Sequence, residues 1–133
     1  MNDSIYSACI LREGSGPGYD LEERLLEFAA RIIRTTESFA GSVAGTHVSK
    51  QVLRSGTAPM AHHGEAQAAE SRKDFIHKMK LALKELKETF RWLRLTHRVP
   101  LIEKPPLPLP LIQETDELIR IFAKNVATAE FNQ

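Results

Sequence analysis

The stretch Ser71–Arg98, SRKDFIHKMKLALKELKETFRWLRLTHR, decides the fold. Its 28 residues contain neither Gly nor Pro, so nothing in it interrupts a helix. Ser71 followed three residues later by Asp74, just before Phe75 and Ile76, is a capping pattern that marks a helix start. Ile76, Met79, Leu83, Leu86, Phe90 and Leu93 then recur at steps of three and four, the spacing of a helix face turned to a core. A second row at the same steps is basic: Lys73, His77, Lys80, Lys84, Lys87, Arg91, Arg94 and Arg98. At about 100° per residue these side chains share an arc of roughly 100°, beside the apolar row rather than opposite it. Leu81, Trp92, Leu95 and Val99 fall on a third row, far from the core row and among Glu85 and Glu88. An apolar row that includes Trp suits a partner surface, unless the rest of the chain covers it.

Length and composition bound what surrounds this helix. A chain of 133 residues suits one domain, which buries roughly two thirds of its unfolded surface. With 42% hydrophobic and 26% charged residues, it has the balance of a soluble globular protein rather than a disordered one. The net charge of +1 hides an asymmetry: residues 71–98 hold nine basic and three acidic side chains, whereas residues 1–70 hold six and nine. Positive charge is therefore concentrated on one element. Cys9 is the single cysteine, which excludes an intrachain disulfide or a cysteine-based zinc site. The first residues lack the basic and apolar regions of a secretory signal, and no apolar run approaches the ~20 residues of a membrane span. The expectation is a cytoplasmic protein with no membrane partner.

Along the chain, the cluster Gly14-Ser15-Gly16-Pro17-Gly18 separates residues 1–19, expected to be a flexible arm, from a helical domain over residues 20–133. Asp20 is the candidate N-cap of a first helix, about Leu21 to Ser38. Its core stripe is Leu21, Leu25, Phe28, Ile32 and Phe39, widened by Leu26, Ala29 and Ile33. From Thr46 to Ala69 the small residues favour a kinked second helix through Pro59 over two short ones, although an interior Pro costs about 3 kcal/mol. Pro100, Pro105, Pro106, Pro108 and Pro110 mark an extended linker over residues 99–110. A last helix begins near Leu111 with Ile112, Thr115, Leu118, Ile119, Phe122 and Val126 on its core face. Four amphipathic helices without a convincing strand predict an all-α, antiparallel up-and-down four-helix bundle.

The block from Gln51 to Leu95 carries a family pattern. Gln51-Val52-Leu53-Arg54-Ser55-Gly56-Thr57, then Glu65-Ala66-Gln67-Ala68-Ala69-Glu70-Ser71, Asp74-Phe75-Ile76-His77-Lys78-Met79-Lys80 and Trp92-Leu93-Arg94-Leu95 resemble the bacterial four helix bundle proteins, also called 23S rRNA-intervening-sequence proteins. The resemblance covers about residues 20–128. It implies a protomer that assembles into a ring, typically a homopentamer. It also implies kinship with retroelement accessory proteins that bind RNA and a reverse transcriptase. The chain departs from the pattern at Ala58-Pro59-Met60-Ala61-His62-His63, where the family has a small-residue run ending in Asn and an aromatic.

Two readings of the basic row follow. Lys and Arg at regular spacing can track phosphates without reading bases, which makes Lys73, His77, Lys80, Lys84, Lys87, Arg91, Arg94 and Arg98 the candidate RNA-binding residues. Alternatively the row is neutralised by Glu22, Glu23, Glu27 and Glu37, by Glu88 or by neighbouring subunits of a scaffold. Leu81, Trp92 and Leu95 are the candidate oligomer interface. No catalytic residue, metal site or cofactor is expected. His62 and His63 point roughly 100° apart on a helix and lack a ligand framework. Ser55 lacks the strand–turn–helix setting of a nucleophile elbow, and the glycine cluster has no following Lys-Ser/Thr of a phosphate loop.

Overall fold

Short polar side chains start three of the chain's helices. Asp20 accepts from the Glu22 N–H at 3.0 Å, Ser42 Oγ from the Gly45 N–H at 3.0 Å and Ser71 Oγ from the Asp74 N–H at 3.0 Å. Each satisfies a backbone donor that the first helical turn leaves without a partner. In the computed structural model, which describes residues 20–104 and 108–132, they introduce α1 (Leu21–Thr36), α2 (Val43–Gln67) and α3 (Arg72–Arg98). The last helix, α4 (Pro108–Phe131), begins at a proline, whose missing N–H costs nothing in a first turn. The expected arm over residues 1–19 lies outside the described residues.

Several boundaries differ from the expectation for physical reasons. Helix α1 stops at Thr36, whose hydroxyl donates to the Ile33 carbonyl at 2.7 Å. Ser42 rather than Thr46 caps α2, because the Thr46 N–H is already donated to the Ser42 carbonyl at 2.9 Å. That helix is a single element with Pro59 buried inside it. The linker after α3 is not simply an extended crossing. Leu101 and Ile102 are buried, the Ala40 N–H donates to the Leu101 carbonyl at 2.8 Å, and Phe39 bridges Ile102. These contacts tie the end of α3 to the α1–α2 turn, and they include the only β-bridge among the described residues. Residues 105–107 of the linker lie outside them.

The core is built where the apolar stripes meet. Leu25, Phe28 and Ile32 of α1, Val52 of α2, Met79, Leu86 and Leu93 of α3, and Leu118 and Phe122 of α4 are essentially inaccessible. Helix α2 packs along α3, α3 along α4 and α1 along α2, with a thinner seam from α1 to α4. The diagonal pairs make no close backbone approach among the described residues. Leu83, Phe90, Ile112 and Ile119 flank the core half-buried, while Phe75, Ala82, Thr89 and Thr96 take interior positions on α3. Leu26 and Ile33, expected to widen the core, are exposed. Among the described residues α1 packs only on α2 and α4 and has no third helix to cover them.

Close approach of α1 to α2 depends on Gly56. A Cβ there would sit 2.7 Å from the side chain of Ile32, which is itself fully enclosed. We predict that Gly56→Ala destabilises the fold by about 1–3 kcal/mol through overpacking, more than the ~0.5–1 kcal/mol that Ala gains over Gly in a helix. At Gly64 an added Cβ meets nothing within 4 Å. Gly64→Ala should therefore raise stability by about 0.5–1 kcal/mol. Urea unfolding of both variants separates the two effects, and equal signs would contradict this packing.

Candidate nucleic-acid interface

All eight residues of the basic row lie on α3, and all eight are exposed. From Lys73 to Arg98 the row runs for roughly 37 Å at the rise of an α-helix. One member, Lys80, is ion-paired, to Glu130 of α4 at 3.0 Å. The Arg94 guanidinium sits over the Phe90 ring, 5.8 Å from its centre. Lys73, Lys84, Lys87, Arg91, Arg94 and Arg98 make no ion pair among the described residues.

The acids named above as candidates to neutralise this row lie elsewhere or are engaged elsewhere. Helix α1, which carries Glu22, Glu23 and Glu27, packs on α2 and α4 and does not approach α3. Two of the three acids of α3 turn to α2: Glu85 and Glu88 both bind Arg54, Glu85 at 3.1 Å. Lys78, off the row, pairs with Glu65 at 3.4 Å. Like charges three or four apart on a helix repel by a few tenths of a kcal/mol per pair. The row therefore carries a standing cost that a polyanion would relieve.

The candidate interface row is partly covered. Trp92 is half-buried against the core, its indole N–H donates to Glu88 at 3.1 Å, and its ring meets His47 of α2 edge-on at 6.1 Å. Leu81 is half-buried as well, whereas Leu95 and Val99 are exposed. Helix α2 thus covers one side of Trp92 through His47.

The histidines have separate environments. His62 Nδ1 lies 3.0 Å from Glu65, and Glu65 is held below the usual carboxylate range by that hydrogen bond and by the Lys78 charge. His63 points inward, edge-on to Phe122 at 6.1 Å and 3.4 Å from Gln67. Burial pushes its pKa down to about 4, against a small opposing pull from Asp20. No three His, Cys, Asp or Glu side chains are gathered for a metal ion among the described residues. Ser55 is fully buried and hydrogen-bonded to Thr89 at 2.8 Å.

One ion pair gave no sign in the sequence. Arg24 of α1 holds Glu114 of α4 through two bonds of 2.8 Å, with Glu117 beside it at 3.2 Å. Burial alone would raise the Glu114 carboxyl, but the Arg24 hydrogen bonds and charge outweigh it and hold it below the usual range. The partners are 90 residues apart and follow no local spacing, so periodicity could not reveal them.

A four-helix, all-α protein with one uncompensated basic helix face is the class that these features define. The chain belongs to the 23S rRNA-intervening sequence protein family, whose profile matches residues 20–124, from the cap of α1 well into α4. It is similar to a protein of unknown function from the S23 ribosomal protein family of Bacteroides thetaiotaomicron, known from a crystal structure. The two share 34% identity, with 79% of this chain and 96% of that chain covered and a TM-score of 0.73. No curated protein matches the sequence. Among the described residues, no helix is long and apolar enough to cross a membrane.

The buried His63 gives a pH prediction. Its folded pKa, about 4, lies below the unfolded 6.5, so between these values the unfolded chain binds a proton that the folded chain does not. Stability therefore falls as pH drops through that window, by about 2 kcal/mol from pH 7 to pH 5. Urea unfolding of the parent and His63→Gln at both pH values checks this. Equal pH dependence in the two proteins would remove His63 as the cause.

Proposed function

We propose that this protein is a non-catalytic, homo-oligomeric accessory factor that binds RNA, or another polyanion, along the basic row of α3. The observation that carries this reading is the exposure of all eight basic side chains with a single ion pair among them. Its family's tie to 23S rRNA intervening sequences supports RNA as the polyanion. No stacking platform accompanies the row: Trp92 is half-buried and bonded to Glu88, and Phe90 lies beneath Arg94. Contacts would then go to phosphates, giving binding that is salt-sensitive and indifferent to base sequence.

An antiparallel up-and-down topology is part of the proposal. Arg54 meets Glu85 and Glu88, while Glu65, further along α2, meets Lys78, earlier along α3. Lys80 near the start of α3 meets Glu130 near the end of α4. Ring assembly, pentameric in the family resemblance, would repeat the basic row on every subunit. A reverse transcriptase is the protein partner that the same resemblance implies, in a bacterial cytoplasm. A second reading, a scaffold without nucleic acid, is favoured by the exposed Leu95 and Val99 beside the row. In it, acidic surfaces of neighbouring subunits neutralise the arginines.

Anisotropy of a labelled single-stranded RNA, titrated across a range of salt, distinguishes the two. RNA affinity should fall steeply with salt, and Lys84→Ala with Lys87→Ala should shrink the log–log slope by about 0.7 per lysine. Both side chains are exposed and unpaired, so Tm and oligomer mass should not change. A parent protein that ignores RNA at low salt, or a double variant with an unaltered slope, would leave only the scaffold.

A further inference from the structure

The basic row changes character along its length. Its members up to Lys87 are lysines and one histidine, whereas the last three, Arg91, Arg94 and Arg98, are arginines. The helix dipole favours a cation in the last turn of α3, but a lysine would serve it as well. A lysine would also serve a phosphate, as a point charge. What arginine adds is a flat guanidinium that stacks on π-systems.

Arg94 is the arginine whose position is held. Its guanidinium carbon lies over the Phe90 ring, 5.8 Å from the ring centre, within the range of a cation–π contact. Phe90 stands four residues earlier on the same helix and is half-buried, so the support is fixed by the fold. Arg94 itself is exposed and makes no ion pair among the described residues. Phe90 therefore covers one side of the group and leaves the rest to solvent. Rotamer freedom is reduced before any ligand arrives, which lowers the entropy cost of docking a flat group there. The row has no aromatic platform for a run of bases, yet a guanidinium plane can take a single base.

We propose that Arg94, held by Phe90, is a base-stacking position on the row: an unpaired nucleotide of the RNA lays its base on the guanidinium. Arg91 and Arg98, one turn to either side, then meet the flanking phosphates. This rests on the RNA reading above and names the form of RNA that this end of the row takes. It is a single-stranded or looped segment, whose bases are free to turn toward the protein, and not a duplex that keeps them paired and stacked. Every base has a π-face, so the contact adds affinity without reading sequence. The lysines before Arg91 keep their phosphate-tracking role.

Two labelled strands of equal length separate bases from phosphates: a single-stranded RNA of mixed sequence and its abasic counterpart. By anisotropy at low salt, full-length protein should bind the RNA about fivefold or more tighter than the abasic strand. Arg94→Lys keeps the charge and removes the plane. It should lose most of that margin, while its affinity for the abasic strand and its salt slope match the parent. Arg94 is exposed, so circular dichroism should report an unchanged fold. A parent that binds both strands equally, or a variant that keeps the margin, overturns the stacking position. So does an equal loss on both strands, which would make Arg94 a phosphate contact. A parent that binds neither strand at low salt would instead sink the RNA reading on which this rests.

Discussion

Everything on the surface of α3 follows from how that helix is clamped to α2. Ser55 and Thr89 are both fully buried and their hydroxyls are 2.8 Å apart, with the Glu85 carbonyl also 2.8 Å from Thr89. A carbonyl only accepts, so the single Thr89 proton goes to Glu85 and Ser55 donates across the seam to Thr89. Sliding either helix would take the buried Ser55 hydroxyl away from Thr89, at a cost of about 1–3 kcal/mol if it is left unsatisfied. This pair therefore fixes the register, and with it the rotation of α3. Glu85, Glu88 and Trp92 are turned toward α2, Met79, Leu86 and Leu93 toward the core, and the basic row outward.

That rotation explains why the basic row lacks partners inside the chain. Glu85 and Glu88 of α3 are consumed by Arg54, and the acids of α1 sit on a helix that does not approach α3, Glu27 being paired with Arg34. A protein that needed this charge only for solubility could have interleaved acids at steps of four, as α4 does with Asp116 and Arg120. Exposed pairs of that kind contribute little to stability. The arrangement on α3 is therefore not one that folding requires.

Much of this was legible in the sequence because α3 is locally self-consistent. Its cap, its uninterrupted periodicity and the segregation of its charges agree, and Ser71, Met79 and Leu86 behave as the spacing predicts. Periodicity failed where the answer depended on neighbours. Leu26 and Ile33 sit at angles that a wider core would bury, yet a wheel cannot say how many helices surround α1. Helix α2 was the least legible element, since its small residues and Pro59 weaken every propensity signal. Those residues act through close approach, and the value of Gly56 appears only once Ile32 is seen against it. Of the candidate site, spacing gave the basic row and its exposure. It could not give the α2 contacts that half-bury Trp92, nor the long-range clasp of Arg24 on Glu114.

The small residues of α2 tie folding and surface together. A helix with a large apolar side would bury itself evenly between its neighbours and leave little apolar surface at the seams. Helix α2 instead approaches α1 at a glycine and α3 at a serine. Leu26 and Ile33 on one side of it, and Leu95 and Val99 on the other, stay exposed. Exposed apolar rows of this kind are a liability for a monomer and a resource for an assembly. Two apolar surfaces are thus left open beside the same narrow helix. Of the basic row the fold uses little: Lys80 pairs with Glu130 and Arg94 lies over Phe90.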